Sequence, residues 1–491
     1  MSDDVNKKRE PLLFEEFESA TKERWLKLVN EDLRGADFEK KLVWKSYEGF
    51  SVQPMYFRED IEKLSHLGSM PGFTPYVRGS TLTGSTDQPW SIAQTHDASD
   101  IGALRDEILK GVEGGERRVG LRFHEYFAQA GDVRNTDTAP GGGVGIAKVV
   151  TMKELCEYFP DVDGIDLYAG YSSPVFLAVA AAAACIDLHA EFDPVAVLAT
   201  TGTMPWPMRT SFRLMHDSVS FAEDTISRTS VIGVSAEPWH NAGASAVEEV
   251  ACVLATGVEY LHQLQERGLT VEEITPYMRF TFPVGTTFFM EVAKLRAARA
   301  LWTKIVGAFD ADNEVEPMRL HVCSSHWSKT VYDPYVNMLR STVEAMAGAI
   351  GGAESMDIAP FDDVAGQPGP FSRRIARNVQ VILQEESRLS HVNDPAAGSY
   401  YVEQLTDSVM QHAWEMFQEI EAQGGMIEAL KKGSIQERIS GTAGKKKLNI
   451  SRRHDVIVGT NQYPNLGEKP LTAAPIAPMS HGDLLDRPKA G

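Results

Sequence analysis

The feature that most constrains this chain is an alternation that sets in at residue 88. Short β-prone runs recur at 89–94, 119–125, 165–169, 195–200, 230–235, 278–282, 318–323 and 355–358, and stretches of helical periodicity follow several of them. The clearest helices are 246–263 and 287–309; in the second, Phe288, Val292, Leu295, Leu301, Trp302 and Ile305 fall along one face. Two more, at 335–349 and 371–386, follow the seventh and eighth runs. Eight strand–helix units over about 300 residues predict an α/β fold, a (β/α)8 TIM barrel. An open doubly wound sheet is the alternative. It is weakened because no Gly-x-Gly-x-x-Gly run follows the first strand.

The barrel occupies 69–400 in this reading, with an N-terminal arm at 1–68, a C-terminal helical segment at 401–440 and an extended or disordered tail at 441–491. In the arm, 14–33 has helical periodicity through Phe14, Phe17, Trp25, Leu26 and Leu28, and 42–56 reads as strand or extended chain. Such an arm packs either on another subunit or on the bottom of its own barrel. The tail is broken by lysines at 445–447 and prolines at 464, 470, 475, 478 and 488. A net charge of −20 excludes nucleic acid as a partner, because phosphate binding needs a basic face. The longest apolar run, around 175–186, is too short to span a bilayer, and no basic stretch leads into an apolar one at the start. The cytoplasm is the expected location. Cys156, Cys185, Cys252 and Cys323 have no metal-ligand spacing, so neither disulfides nor a bound metal are expected.

Ligands in such barrels bind at the C-terminal ends of the strands. The residues there include His124, Glu125 and Tyr126; Tyr168 and Tyr171; Thr200, Thr201 and Thr203; Glu237, Trp239 and His240; and His321, Ser324, Ser325 and His326. Three histidine-bearing strand ends in one mouth exceed what packing needs. The run GGGVGIAK at 141–148 lacks the Lys-Ser/Thr ending of a phosphate loop and reads as a turn. No HExxH, GxSxG or catalytic-cysteine signature supports a hydrolase.

Several stretches resemble the adenosylcobalamin-dependent acyl-CoA mutases, chiefly methylmalonyl-CoA mutase. They are PGFTPYVRG at 71–79 with Pro89 and Trp90 beyond it, HNAGA at 240–244, ATGVEY at 255–260 and FMEVAKLRAARALW at 289–302. DPYVN at 333–337, GGAES at 351–355, RIARN at 374–378 and NDPAAGSYYVE at 393–403 follow in the family's order. The arm and the glycine- and asparagine-rich motifs look most like the small, beta-type subunit of heterodimeric members.

The resemblance implies a barrel threaded along its axis by the pantetheine arm of an acyl-CoA. Adenosylcobalamin would sit against the mouth, held by a separate flavodoxin-like domain whose Asp-x-His-x-x-Gly motif this sequence lacks. Cobalamin is then supplied by a partner, either a cobalamin-binding subunit or a full-length mutase subunit, in a hetero-oligomer. Active chains of the family use a tyrosine near strand one, a carboxylate-gripping arginine and a histidine after strand five. By local alignment Ser85 takes the tyrosine's position, and Arg209 is the one candidate arginine in a shortened segment at 203–213. Pro238 takes the histidine's position, leaving His240 as the catalytic candidate. Cys323 and Asp363 replace a glutamine and a glutamate near the corrin face, while Arg279, Thr281, Arg319 and His321 are retained. Arg279 is a candidate contact for a CoA phosphate. The expectation is a small-subunit-like partner with a degenerate pocket. One alternative is an active barrel for a different acyl-CoA, with Tyr126, Tyr168, Tyr171, Trp239 and His240 shaping a rebuilt mouth. The other is a non-enzymatic binding or chaperone barrel.

Overall fold

A computed structural model describes residues 17–18, 20–97, 101–122, 162–168, 187–204, 206–225, 229–309, 315–366 and 368–467. All barrel strands pair in parallel. In chain order they are Ser91–His96, Arg118–Arg122, Gly164–Tyr168, Asp187–Ala190, a fifth strand in two pieces (Thr229–Ser230 and Ile232–Ser235), Met278–Val284, Leu320–Ser324 and Ser355–Asp357. The eighth returns to pair with the first, Met356 beside Ile92. The split at Val231 lets the lower piece pair with the fourth strand and the upper with the sixth, so the ring closes.

Seven strands lie within a few residues of expectation, but the run 195–200 does not. It forms the helix Pro194–Thr201, and the fourth strand comes earlier, at Asp187–Ala190. Local capping decides this. The Asp193 carboxylate accepts from the Ala196 N–H at 2.8 Å, Pro194 is pre-set for the first helical position, and Gly202 ends the helix in the left-handed region. A buried apolar run fits a strand or a helix equally well by pattern alone.

The helices Ala246–Gln265 and Phe288–Phe309 line one side of the barrel and are buried nearly all round, because Tyr400–Ala422 packs outside both. Gly257 permits the closest approach: a Cβ there would lie 2.6 Å from the Trp302 ring, which itself packs on Phe280 at 4.7 Å. Ser245 and Glu248 form a reciprocal capping box at the start of the first of these helices. Arg296, fully buried, donates to Glu403 at 2.7 Å, and His66 meets the same carboxylate at 2.9 Å. The turn Ser65–Gly68 is thereby tied to the chain's own outer helices.

In the arm, the helix is Lys22–Asp32, and a short antiparallel pair joins Trp44–Lys45 to Ser51–Val52. A cavity of about 400 Å³ lies between that helix and the stretch 53–57, lined by Trp25, Phe38, Met55 and Phe57 among others. At the other end, the extended stretch expected from 441 begins later, because one helix runs Ser434–Ser451 through the lysines. Among the described residues, no helix is long and apolar enough to cross a membrane.

Candidate functional site

Side chains alternate faces along a strand, so each barrel strand sends every second residue inward. Here the inward set is polar. At mid-height Asp166 of the third strand accepts from Arg118 of the second at 2.6 Å and from Arg279 of the sixth at 2.7 Å. Arg118 also reaches Asp187 of the fourth strand at 3.2 Å, and Arg319, just ahead of the seventh, meets Asp187 at 3.3 Å. The Tyr168 hydroxyl donates to Asp166 and accepts from Arg279, each at 3.3 Å. His189 pairs with Ser230 at 2.8 Å and His321 with Ser355 at 2.7 Å. The third and sixth strands are three apart in the ring, so the Asp166–Arg279 pair spans the interior.

The electrostatics follow from that geometry. Burial alone would raise the Asp166 carboxyl, yet Arg118 and Arg279 outweigh it and hold the group far below the ordinary carboxylate range. Burial, then the charge of Arg279, pushes both His189 and His321 well below the usual imidazole value, so both rings are neutral.

Toward the mouth the balance reverses. Burial pushes Asp193 up to about 6 even though Tyr260 and backbone N–H groups donate to it. Burial pushes Asp357 up to about 6 as well, against a hydrogen bond from Thr95 and the charge of Arg122. Glu191 rises well above its ordinary value through burial and the nearby Glu237 and Asp193. Arg122, exposed at the end of the second strand, lies in the field of Asp363, Asp97, Asp357 and Glu237. Among the described residues, those mouth carboxylates outnumber the cations facing them.

Beside the rim, the short helix Glu237–Asn241 carries His240. Its Nδ1 meets Glu249 at 2.7 Å and its Nε2 meets the Ser325 hydroxyl at 2.6 Å. Lys294, fully buried, donates to the other Glu249 oxygen at 2.8 Å. Burial would raise Glu249, but His240 and Lys294 together hold it down to about 2.

Tyr168, Arg279, Thr281, His321 and Cys323 therefore share the barrel interior. Arg279 is not at a rim open to a phosphate; it is buried and ion-paired to Asp166. Asp363 lies at the rim, 4.0 Å from His326. Trp239 is almost fully buried behind the rim. Arg209 is exposed near the start of the helix Met208–Thr225. Ser85 sits in a turn before the first strand; the neighbouring Ser80 bonds Glu354, just ahead of the eighth. That places Ser85 at the opposite end of the barrel from the mouth. The first-strand polar group near the mouth is Thr95, which bonds Asp357. Thr200 and Thr201 are helical and cap their own helix's carbonyls rather than ending a strand. His124, Glu125, Tyr126, Tyr171 and the glycine-rich run 141–148 lie outside the described residues. Sequence reasoning missed Arg118, Asp166, His189 and Glu191. The signal was there: charged residues at alternate positions of strands that must be buried on both faces.

A family model described as methylmalonyl-CoA mutase matches residues 45–482. The methylmalonyl-CoA mutase small subunit of Porphyromonas gingivalis is 34% identical over 464 residues, covering 94% of this chain and 72% of that relative. The small subunit of Streptomyces virginiae is 32% identical over 484 residues, covering 96% and 74%. The methylmalonyl-CoA mutase of Escherichia coli is 34% identical over 460 residues; 90% of this chain matches, and the match spans 64% of that relative's length.

Proposed function

Because the chain belongs to the methylmalonyl-CoA mutase family, we propose that it is a small-subunit-type partner in a hetero-oligomeric acyl-CoA mutase, with a degenerate pocket of its own. The observation that carries this reading is the Arg118–Asp166–Arg279 bridge across the barrel interior. A pantetheine arm threading the axis would have to part these pairs. Breaking a buried ion pair costs on the order of 3–5 kcal/mol, because the charge left behind stays desolvated. The mouth adds a second argument. A substrate carboxylate there would meet Glu237, Asp357 and Asp363, while Arg209 is exposed on a surface helix. The exposed Phe17, Leu28, Trp44 and Met55 suit the arm to a contact with the catalytic chain.

The family's cofactor, adenosylcobalamin, supplies the radical that starts the carbon-skeleton rearrangement. On this reading the cobalamin is held by a partner chain. The residues here fit facing such a group: Asp97, Asp357, Asp363 and Glu237 offer acceptors to corrin amides, beside the half-buried Cys323.

A second reading makes this barrel catalytic for a different acyl-CoA, with cobalamin from a separate chain. It draws on His240, aligned between Glu249 and the Ser325 hydroxyl beside the mouth, a line able to relay a proton. Affinity purification from the native host, followed by isomerase assay with adenosylcobalamin and a panel of acyl-CoAs, separates the two. On the favoured reading the chain co-purifies with a mutase subunit, and His240→Ala leaves turnover of the complex unchanged. Turnover by this chain with a lone cobalamin protein, abolished by His240→Ala, would establish the second. A chain that stays alone, binds no CoA ester and supports no turnover would sink both.

A further inference from the structure

The helix Val336–Ile350, which follows the seventh strand, turns small and polar residues inward and large apolar ones outward. It buries Asn337, Ser341 and Glu344, the last paired to Lys329 at 2.5 Å, while Leu339 is 67% exposed. Tyr335, Leu339 and Val343 recur every fourth residue, so they form one outward stripe, and the exposed Thr342 beside it adds no charge. The stripe continues sideways. The Tyr335 ring lies 5.2 Å from Phe361, and Phe361 lies 6.2 Å from Phe371, in the first turn of the helix Pro370–Glu385. Tyr335 and Phe371 are themselves more than half exposed. Such a reversal of inner and outer faces is the mark of a helix that is covered from outside.

The chain itself arrives at this face. After the helix Ser434–Ser451, the Asn461 side chain closes a tight loop, accepting from the Ile457 N–H at 2.7 Å and donating to the Ile450 carbonyl at 2.9 Å. Arg340, next to Leu339, donates to the Val458 carbonyl at 2.6 Å, and a Cβ on Gly459 would lie 3.0 Å from the Asp333 side chain. The loop is thus seated at the start of the stripe. Beyond it Leu466 is 95% exposed, and the described residues end at Gly467. The sequence that follows includes PLTAAPIAPM at 470–479, a run without charge in a chain of net charge −20. Its prolines favour extended backbone, and aromatic-lined faces are what such segments dock on. The family match runs to residue 482, so this run belongs to the stretch shared with the family. Ten extended residues reach about 30 Å, enough to cross two helices about 10 Å apart.

We propose that the face of Tyr335, Leu339, Val343 and Phe371 is the seat of the chain's own residues 470–479, laid across both helices as an extended strap. An uncharged, proline-punctuated run and an uncharged aromatic face match in chemistry, and the pinned loop brings one to the other without a second chain. The strap has a consequence for the mouth. Phe361 stands between Tyr335 and Phe371, and the rim residue Asp363 follows two positions later. Covering the row therefore holds the loop after the eighth strand, and with it Asp363. The inference is independent of whether the chain is a partner subunit or a catalyst.

The test uses the full chain and elastase, which cuts beside small residues such as Ala473. Wild type should resist cutting within 470–479, and Leu339→Glu should be cut there about tenfold faster, because cleavage follows the population of the detached state. Ile476→Glu, on the strap itself, should do the same, and each variant should lower the thermal midpoint; an exposed side chain with nothing over it would tolerate the change. The double variant should fall no further than the lower single one, since both act through one contact. Should Leu339→Glu fail to fold, Phe371→Glu paired with Ile476→Glu gives the same reading. Light scattering should show one particle mass for wild type and variants. Equal cutting of wild type and Leu339→Glu, or midpoint losses that add, would overturn the proposal. So would a mass that changes in Leu339→Glu while 470–479 is cut as before, which would assign the face to a second copy or to another chain.

Discussion

Two levels of one barrel treat the same functional group in opposite ways. At mid-height Asp166 is buried and held far below the ordinary carboxylate range; toward the mouth Asp357 and Asp193 are buried and pushed up to about 6. Burial is the largest single influence on all three, and it acts in one direction, against the charged form. The difference lies in the partners. Asp166 accepts from two guanidinium groups at 2.6 and 2.7 Å, whereas Asp357 takes a threonine hydroxyl, and Asp193 a tyrosine hydroxyl and backbone amides. Neutral donors, even with the charge of Arg122 near Asp357, do not offset burial here; two directly bonded guanidinium groups do. One level is thereby a locked structural bridge and the other a set of poised acids.

The largest effect expected from breaking this contrast is at Asp166. Asp166→Asn leaves Arg118 and Arg279 buried without their shared counter-charge, and should destabilise the fold by about 3–5 kcal/mol, read from urea unfolding. The pH dependence has a definite sign. The folded-state value of Asp166 is depressed, so its stabilisation is present above the unfolded value of about 4 and drains away as pH falls toward the folded one. Wild type should therefore lose stability steeply below about pH 4, and Asp166→Asn should lose less over that range. A variant within about 1 kcal/mol of wild type would mean that the bridge contributes little and does not obstruct the axis.

How much of this was legible in the sequence follows the same division. The barrel was legible, because strand and helix periodicities recur and the outer helices are amphipathic. The bridge was not, for a local reason. Placing the fourth strand at 195–200 set Asp187, His189 and Glu191 in a loop, where charged residues invite no comment. With the strand at Asp187–Ala190, polar residues alternate inward on the second, third, fourth, sixth and seventh strands, a pattern that a purely apolar interior would not give. The sequence signal for a helix there is Asp193-Pro194, an N-cap and first-turn pair that outweighs the β-prone Val195 and Val197. Of the candidate residues, those on strands (Tyr168, Arg279, Thr281, His321, Cys323) come together, because strand position fixes direction. Ser85 and Arg209 fall elsewhere, because local alignment through turns fixes neither direction nor depth.

A smaller effect is expected at the mouth, with the opposite sign. Asp357 is raised to about 6, so its protonated form favours the fold; that contribution is complete below the unfolded value and is lost as pH rises through about 6. Asp357→Asn keeps an acceptor for Thr95 and removes the titration. It should be close to wild type at about pH 4 and more stable above about pH 7, by at most about 3 kcal/mol for a two-unit shift. Thermal midpoints of the two proteins from acid to alkaline pH test this. Parallel curves would mean that Arg122 and solvent hold the wild-type carboxylate charged, and the contrast between the two levels would shrink to a difference of degree.

The finest discrimination comes from Glu249, which has two cationic or potentially cationic partners and sits outside the ring. Held down to about 2 by His240 and Lys294 against its own burial, it resembles Asp166 rather than the mouth acids. Replacing His240 by Gln preserves a hydrogen bond and removes the imidazole, while Lys294 stays at 2.8 Å. If the count of cations sets the direction, Glu249 should then titrate above about 2 yet stay below the ordinary glutamate value of about 4.3, as followed by carbon-13 NMR of the side-chain carboxyl. Because the depressed group stabilises the fold above its unfolded value and loses that as pH falls, the variant's acid-unfolding limb should move to higher pH. The loss at neutral pH should be about 1 kcal/mol, that of a single charge-assisted hydrogen bond weakened. An unchanged titration would assign the whole depression to Lys294, leaving His240 to bridge Glu249 and Ser325 by hydrogen bonds alone.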